Sequence, residues 1–248
     1  TLSISGPSNV NEAAGTLTYT VTLSTPSAGP VSVDVATAGG SATDGSDYSS
    51  VTQTLTFAPG ETSKTVTVAI TNDTVYEGAE NYTVNLTNPT GGASIATGTA
   101  ATTINDDGTG TGGSDNDTPV ITSIDSPSTP EGSPLVYTVT TSGPSTTPTT
   151  VPVTIGGGTA GGSDYSPPTF SNGVTYDPVT GTITIPGDVT SFTVNVPTTP
   201  DSISEGPETV PLNIGGVPAT GTIVDTPTIS AVEPGLPGIS DDNVNEGQ

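Results

Sequence analysis

Residues Thr16–Ser24 read Thr-Leu-Thr-Tyr-Thr-Val-Thr-Leu-Ser. Leu17, Tyr19, Val21 and Leu23 occupy every second position, with threonine between them. A period of two puts one residue class on each face of an extended chain, as in a half-buried strand. Threonine and valine also suit a pleated surface. The pattern returns at Lys64–Ile70 (KTVTVAI) and Ser191–Val196 (SFTVNV), and no window spaces its apolar residues as a helix would. These runs outweigh a composition that leans toward disorder, with 29% hydrophobic residues and a net charge of -24. The expectation is an all-β chain whose loops absorb the 32 Gly and 24 Pro.

Outward from that strand, the chain repeats itself. Gly45-Ser-Asp-Tyr-Ser49 recurs letter for letter at Gly162–Ser166. Glu12 followed by LTYTV at 17–21 returns as Glu131 followed by LVYTV at 135–139, and Glu77-Gly-Ala-Glu80 returns as Glu205-Gly-Pro-Glu208. A wider offset at the last pair implies an insertion of about ten residues in the second copy. It is placed at 172–182, where Tyr176–Gly181 has the chemistry of a hairpin turn. Asp117-Thr-Pro-Val-Ile121 matches Asp225-Thr-Pro-Thr-Ile229, which opens a third copy. The expected organisation is a sandwich over 1–107, a Gly/Asp-rich linker over 108–118, a divergent second sandwich over 119–225, and a truncated third repeat over 226–248. Strands near 1–5, 16–24, 31–37, 52–58, 64–70, 80–87 and 93–104 make about seven for the first copy. That number of short strands at this length suggests an immunoglobulin-like sandwich.

Charge and missing residue types exclude several functions. Twenty-five acidic side chains face one basic one, Lys64, and there is no His, Cys, Met or Trp. Without His or Cys there is neither an imidazole or thiol catalyst nor an ordinary zinc or haem site. One lysine cannot track a nucleic-acid backbone or an anionic membrane. Paired acids could serve glycoside hydrolysis, but the aromatic platform of a sugar cleft is lacking. The expectation is a non-enzyme with no nucleic-acid partner and no direct membrane contact.

The acids of the first copy gather in loops: Glu12; Asp44 and Asp47; Asp73, Glu77 and Glu80; Asp106 and Asp107. Alternate loops of a sandwich meet at one end, so most of these can share a pole. Two unit charges about 4 Å apart cost on the order of 4 kcal/mol at an effective dielectric of about 20. A hard divalent cation is the natural partner, and Ca²⁺, which takes 6–8 oxygen ligands, suits a carboxylate cage better than Mg²⁺.

On these residues the chain resembles the Calx-β domain. The resemblance rests on Gly45–Tyr48, Gly60-Glu-Thr-Ser-Lys-Thr65, Asn72–Leu86 (NDTVYEGAENYTVNL) and Ile104-Asn-Asp-Asp107; it is close over 1–107 and looser over 119–225. It implies Greek-key sandwiches holding calcium at one pole beside the next domain. It also implies the ligands Glu12, Asp47, Asp73, Glu77, Glu80, Asp106 and Asp107 in the first copy. In the second it implies Glu131, Asp164, Asp201, Glu205, Glu208 and Asp225. Pro200 and Ser204 depart from the motif, so the second site is expected to bind fewer ions or to bind them more weakly.

The function expected from resemblance, repeats and charge placement is a calcium-stiffened extender of a large secreted, cell-surface-anchored bacterial adhesin. Such a segment is extracellular and exported by a type I route. Its partners are neighbouring repeats of the same chain, host or surface ligands being left to other domains, and the fragment is monomeric. The alternatives are a glycan- or peptide-binding module, with Tyr176 as the place to look, and a regulatory Ca²⁺ sensor.

Overall fold

The computed structural model describes residues 1–201, 203 and 205–224; Asp225 and the expected third repeat lie outside the described residues. The first copy comprises β1 (Leu2–Ser5), β2 (Asn9–Asn11), one 3-10 turn (Glu12–Ala14), β3 (Thr16–Leu23), β4 (Val31–Gly39) and β5 (Thr52–Phe57). It continues with β6 (Ser63–Ala69), β7 (Glu80–Thr87), β8 (Ile95–Thr97) and β9 (Thr99–Asn105). They form two facing sheets, ordered β6-β3-β1-β8 and β2-β9-β7-β4-β5. The alternation read at 16–24 is realised side chain by side chain, with Leu17, Tyr19, Val21 and Leu23 buried and Thr16, Thr18 and Thr22 exposed.

One of the seven expected strands, 93–104, is split, and the first is followed by an unexpected short strand, β2, because the chain crosses from one sheet to the other at both places. Gly6 and Pro7 separate β1, which pairs with β3, from β2, which pairs in parallel with β9. The crossing runs directly over Tyr19, and a Cβ on Gly6 would fall 2.2 Å from its ring. Gly98 likewise separates β8, paired in parallel with β1, from β9, paired with β7.

The second copy comprises β10 (Ile121–Ile124), β11 (Ser128–Pro130), β12 (Leu135–Thr141), β13 (Thr149–Ile155) and β14 (Thr169–Phe170). It ends with β15 (Thr175–Asp177), β16 (Thr182–Ile185), β17 (Ser191–Val196), β18 (Glu208–Ile214) and β19 (Val217–Val224). The sheets are ordered β10-β12-β17-β14 and β11-β19-β18-β13-β16-β15. The expected insertion is the β15–β16 hairpin, with Asp177 opposite Thr182 and Gly181 N–H donating to the Asp177 carbonyl at 2.9 Å. Tyr176 lies against Phe170 with ring centres 5.9 Å apart. The fold is thus all-β, two immunoglobulin-like sandwiches in tandem.

Each sandwich has its own core, one drawn from residues 2–104 and the other from 121–223. Matched tyrosines stand at the centre of each. Tyr19 Oη lies 2.7 Å from Tyr82 Oη and 2.5 Å from Thr102 Oγ1, which donates to the Pro7 carbonyl at 2.7 Å. Tyr137 donates to the Val210 carbonyl and accepts from Gly221 N–H at 3.2 Å. A buried hydroxyl without a partner costs a few kcal/mol, so these bonds let a tyrosine fill a core position.

Candidate metal centre

In the first sandwich, Asp47 is held by the tyrosine beside it. The Tyr48 ring is buried and stacks on Tyr82 at 4.5 Å and 11°, and its backbone bridges to Ile70 at the end of β6. Thr71 N–H donates to the Asp47 carbonyl and Asp47 N–H to the Thr43 carbonyl, both at 3.0 Å. The Asp-Tyr pair is therefore an anchor plus a presented acid.

Glu12 opens the 3-10 turn after β2, capped by Asn11 Oδ1, which accepts from Ala13 N–H at 3.0 Å. Asp106 follows β9. Because β2 and β9 are parallel, with Asn11 opposite Asn105, both acids leave the sheet at the same level. The β6–β7 loop closes over them. Asp73 N–H donates to Glu12 Oε1 at 3.0 Å and Glu77 N–H to Asp106 Oδ2 at 3.0 Å. Gly78 takes a φ of 81°, a left-handed value that accounts for the Glu-Gly step, and Glu80 begins β7.

Two acidic groups result, each with carboxylate oxygens within 4.8 Å of one another: Glu12, Asp106 and Asp117, and Asp47, Glu77 and Glu80. Glu12, Asp47, Glu77, Glu80 and Asp106 line one pocket with Gly78 and Ile104. Glu12 and Asp106 are 7% and 3% exposed, yet Glu12 Oε2, Asp106 Oδ1 and Asp117 Oδ2 are buried without a protein hydrogen bond. Lys64, the chain's single basic side chain, pairs with Glu61 at 2.8 Å, at the opposite end of β6 from this loop.

Two of the expected first-copy residues stand outside these groups. Asp107 is turned outward, its Oδ1 accepting from Thr109 N–H at 3.0 Å and from the Thr109 hydroxyl. Asp73 is exposed and its Oδ1 caps the loop by accepting from Val75 N–H at 2.8 Å. Three residues outside the expected ligand set serve the pole; of these the sequence leaves Asp117 open, with Asp115 and Asp125, between a junction ligand and a solvated linker acid. Asp117 joins from the linker. Asn11 is fully buried and holds that linker. Tyr76 ties the acidic β6–β7 loop to the second sandwich, its N–H donating to the Pro144 carbonyl at 3.1 Å and its carbonyl accepting from Thr146 N–H at 2.9 Å. Asn before Glu-Ala-Ala is a helix-cap signal that could have pointed to Asn11.

The second sandwich repeats the plan more openly. Asp164, Glu205 and Glu208 form one group within 4.8 Å, with Glu205 exposed and the other two half-buried. Glu131 lines the same pocket, and its Oε1 accepts from Asp201 N–H at 3.2 Å. Asp201 is exposed and caps its own loop, accepting from Ile203 N–H at 2.6 Å.

A family model described as the Calx-beta domain matches residues 4–108 and 115–232. The chain belongs to the Calx-beta family. A stretch of 58 residues is 45% identical to sodium/calcium exchanger 1 of Canis lupus familiaris, and equally to that of Bos taurus; it makes up 23% of this chain and 6% of either exchanger. Among solved structures, the calcium binding domain CBD12 of CALX1.1 is 19% identical over 85% of this chain and 79% of its own, with a TM-score of 0.40. The apo-form Calx CBD1 domain is 23% identical over 42% of this chain and 95% of its own, with a TM-score of 0.37.

In the first Calx-beta domain the crowding of acids alters their protonation. Burial, followed by the neighbouring Asp106 and Asp73 charges, pushes Glu12 up to about 8. Burial and then Asp47 push Glu77 up to about 7 and Glu80 up to about 8. Asp106 and Asp117 are raised by burial as well. The metal-free fold therefore holds protons that the unfolded chain releases above its ordinary glutamate range. Stability falls as pH rises through that window and levels off below it. In EDTA, the melting temperature of the first domain should drop between about pH 5 and about pH 8, as thermal scans would show; a rise over that interval would contradict the assignment. Calcium affinity should run the other way, because protons compete for the same oxygens.

Proposed function

We propose that this Calx-beta pair binds calcium at the carboxylate poles and acts as a calcium-stiffened extender of a large secreted, surface-anchored bacterial adhesin. One observation supports the metal most strongly: Glu12 and Asp106 are buried with unpartnered oxygens, at a pole without a basic side chain. Burying charge in that way is costly unless a cation compensates it. The donors are all oxygen, which suits a hard ion, and a cage of unequal loops suits calcium's flexible coordination better than magnesium's octahedron. Glu12, Asp106, Asp47, Glu77 and Glu80 would hold ions in the first domain, and Asp164, Glu205 and Glu208 with Glu131 in the second. The extender role is supported by the tandem arrangement and by the Tyr76 bonds joining the metal-bearing loop to the next domain.

A second reading, a regulatory calcium sensor, is favoured by the stretch shared with sodium/calcium exchanger 1. Calorimetric titration of the EDTA-stripped chain separates the two. A dissociation constant of about 10⁻⁴–10⁻³ M fits an extracellular structural module, whereas about 10⁻⁷–10⁻⁵ M fits a sensor. Heat from magnesium equal to that from calcium, or none from either, would refute both.

A further inference from the structure

We propose that the interdomain linker supplies a metal ligand of its own, Asp117, so that loading the first pole fastens the linker to the first sandwich. The inference rests on the calcium reading above and extends it to a residue outside the motif positions. Residues 108–117 do not run straight to the second domain. They fold back along β2, where Asn11 N–H donates to the Thr111 carbonyl at 3.0 Å and Val10 bridges to Thr111 in parallel. Gly110 lies so close that a Cβ would fall 2.3 Å from the Val10 carbonyl carbon. The Asn11 side chain clamps the loop. Its Nδ2 donates to the carbonyls of Asn105, Thr109 and Asp115 at 3.4, 3.2 and 2.9 Å, and its Oδ1 accepts from Asp115 N–H at 3.1 Å.

The returning strand then passes β9's end, where Asp107 bridges to Asn116 and Asp117 N–H donates to the Asp106 carbonyl at 3.2 Å. This delivers the Asp117 carboxylate to Glu12 and Asp106, with ligand oxygens within 4.8 Å. Each of the three residues keeps one buried oxygen that no protein donor reaches. Glu12 and Asp106 are more than nine-tenths buried, so water is a poor substitute for a cation there. Three carboxylates from the turn after β2, the end of β9 and the linker repel without a divalent ion and are bridged with one. Metal occupancy thereby adds a tie to the Asn11 clamp and tightens the linker's hold on the first sandwich.

The test is amide hydrogen exchange, by mass spectrometry, on the full chain and on Asp117→Asn, each in EDTA and in calcium. In the native chain calcium should slow exchange both at 72–80 and at 109–117. Asp117→Asn removes a like charge and keeps the shape, so it should fold. It should retain the slowing at 72–80, where Asp47, Glu77 and Glu80 remain, and lose about tenfold of it at 109–117. Asp115→Asn, which changes a side chain whose Oδ1 accepts from Asn116 N–H at 3.1 Å and which belongs to neither acidic group, should behave as native. Equal slowing at 109–117 in Asp117→Asn and native chains overturns the proposal, as does native slowing confined to 72–80. An absence of slowing at every segment of the native chain refutes the calcium reading itself.

Discussion

Calcium added to the metal-stripped chain should raise the melting temperature of the first sandwich by about 20 °C and that of the second by about 10 °C or less. Linkage between ion binding and folding sets the size of these shifts. An ion at about a hundredfold excess over its dissociation constant adds about 2.7 kcal/mol. A domain of slightly more than 100 residues shifts by about 4 °C per kcal/mol, so each ion contributes about 10 °C. Among the described residues the first pole has two acidic groups and the second has one. The second group is also more open, since Glu205 is exposed and Asp201 turns its carboxylate to its own loop. Calorimetry with and without calcium should resolve two transitions that separate as the metal is added. Equal shifts would show that exposure of the acids does not govern their affinity.

The second large effect changes sign with the metal. Above about pH 8, where the raised Glu12 is ionised, Asp106→Asn should stabilise the first domain in EDTA by about 2 kcal/mol and destabilise it, relative to native, in calcium. Asp106 Oδ2 accepts from Glu77 N–H at 3.0 Å, a bond the asparagine oxygen can keep. The new amide places a donor beside Glu12 Oε2, which lacks one. Removing one of two like charges about 5 Å apart relieves on the order of 3 kcal/mol at an effective dielectric of about 20. The same change takes a charged ligand from the ion. Melting curves of the variant in the two buffers should cross those of the native chain. A variant less stable in both would show Asp106 to be a structural acid, with no cation to hold.

Much of this was legible in sequence where a residue's role is fixed by its immediate neighbours. Tyr19 and Tyr137 are central because alternation places them inward, and Asp47 is presented because Tyr48 has a core to enter. The two sheet crossings were not legible. A strand that changes sheets keeps its alternation, and only Gly6-Pro7 and Gly98 mark the break. Nor could the pattern say which acids turn inward. Asp107 and Asp117 are both loop aspartates, and their fates are set by the turn at Gly108, with φ of 80°, and by the fold-back on Asn11, a partner about a hundred residues away. The hydrogen bonds of Asp73 and Asp201 to the second residue after each depend similarly on backbone dihedrals that residue type alone leaves open.

The parallel pairing of β2 with β9, repeated by β11 with β19, has a mechanical consequence. The two strands lie near opposite ends of each domain's chain, and because they run the same way a pull along the chain drags them in opposite directions. The load falls on their hydrogen bonds together, in shear, instead of opening them one at a time. Glu12 directly follows β2 and Asp106 directly follows β9. An ion shared by these two acids would be a rivet through the slip plane, set where sliding has to begin.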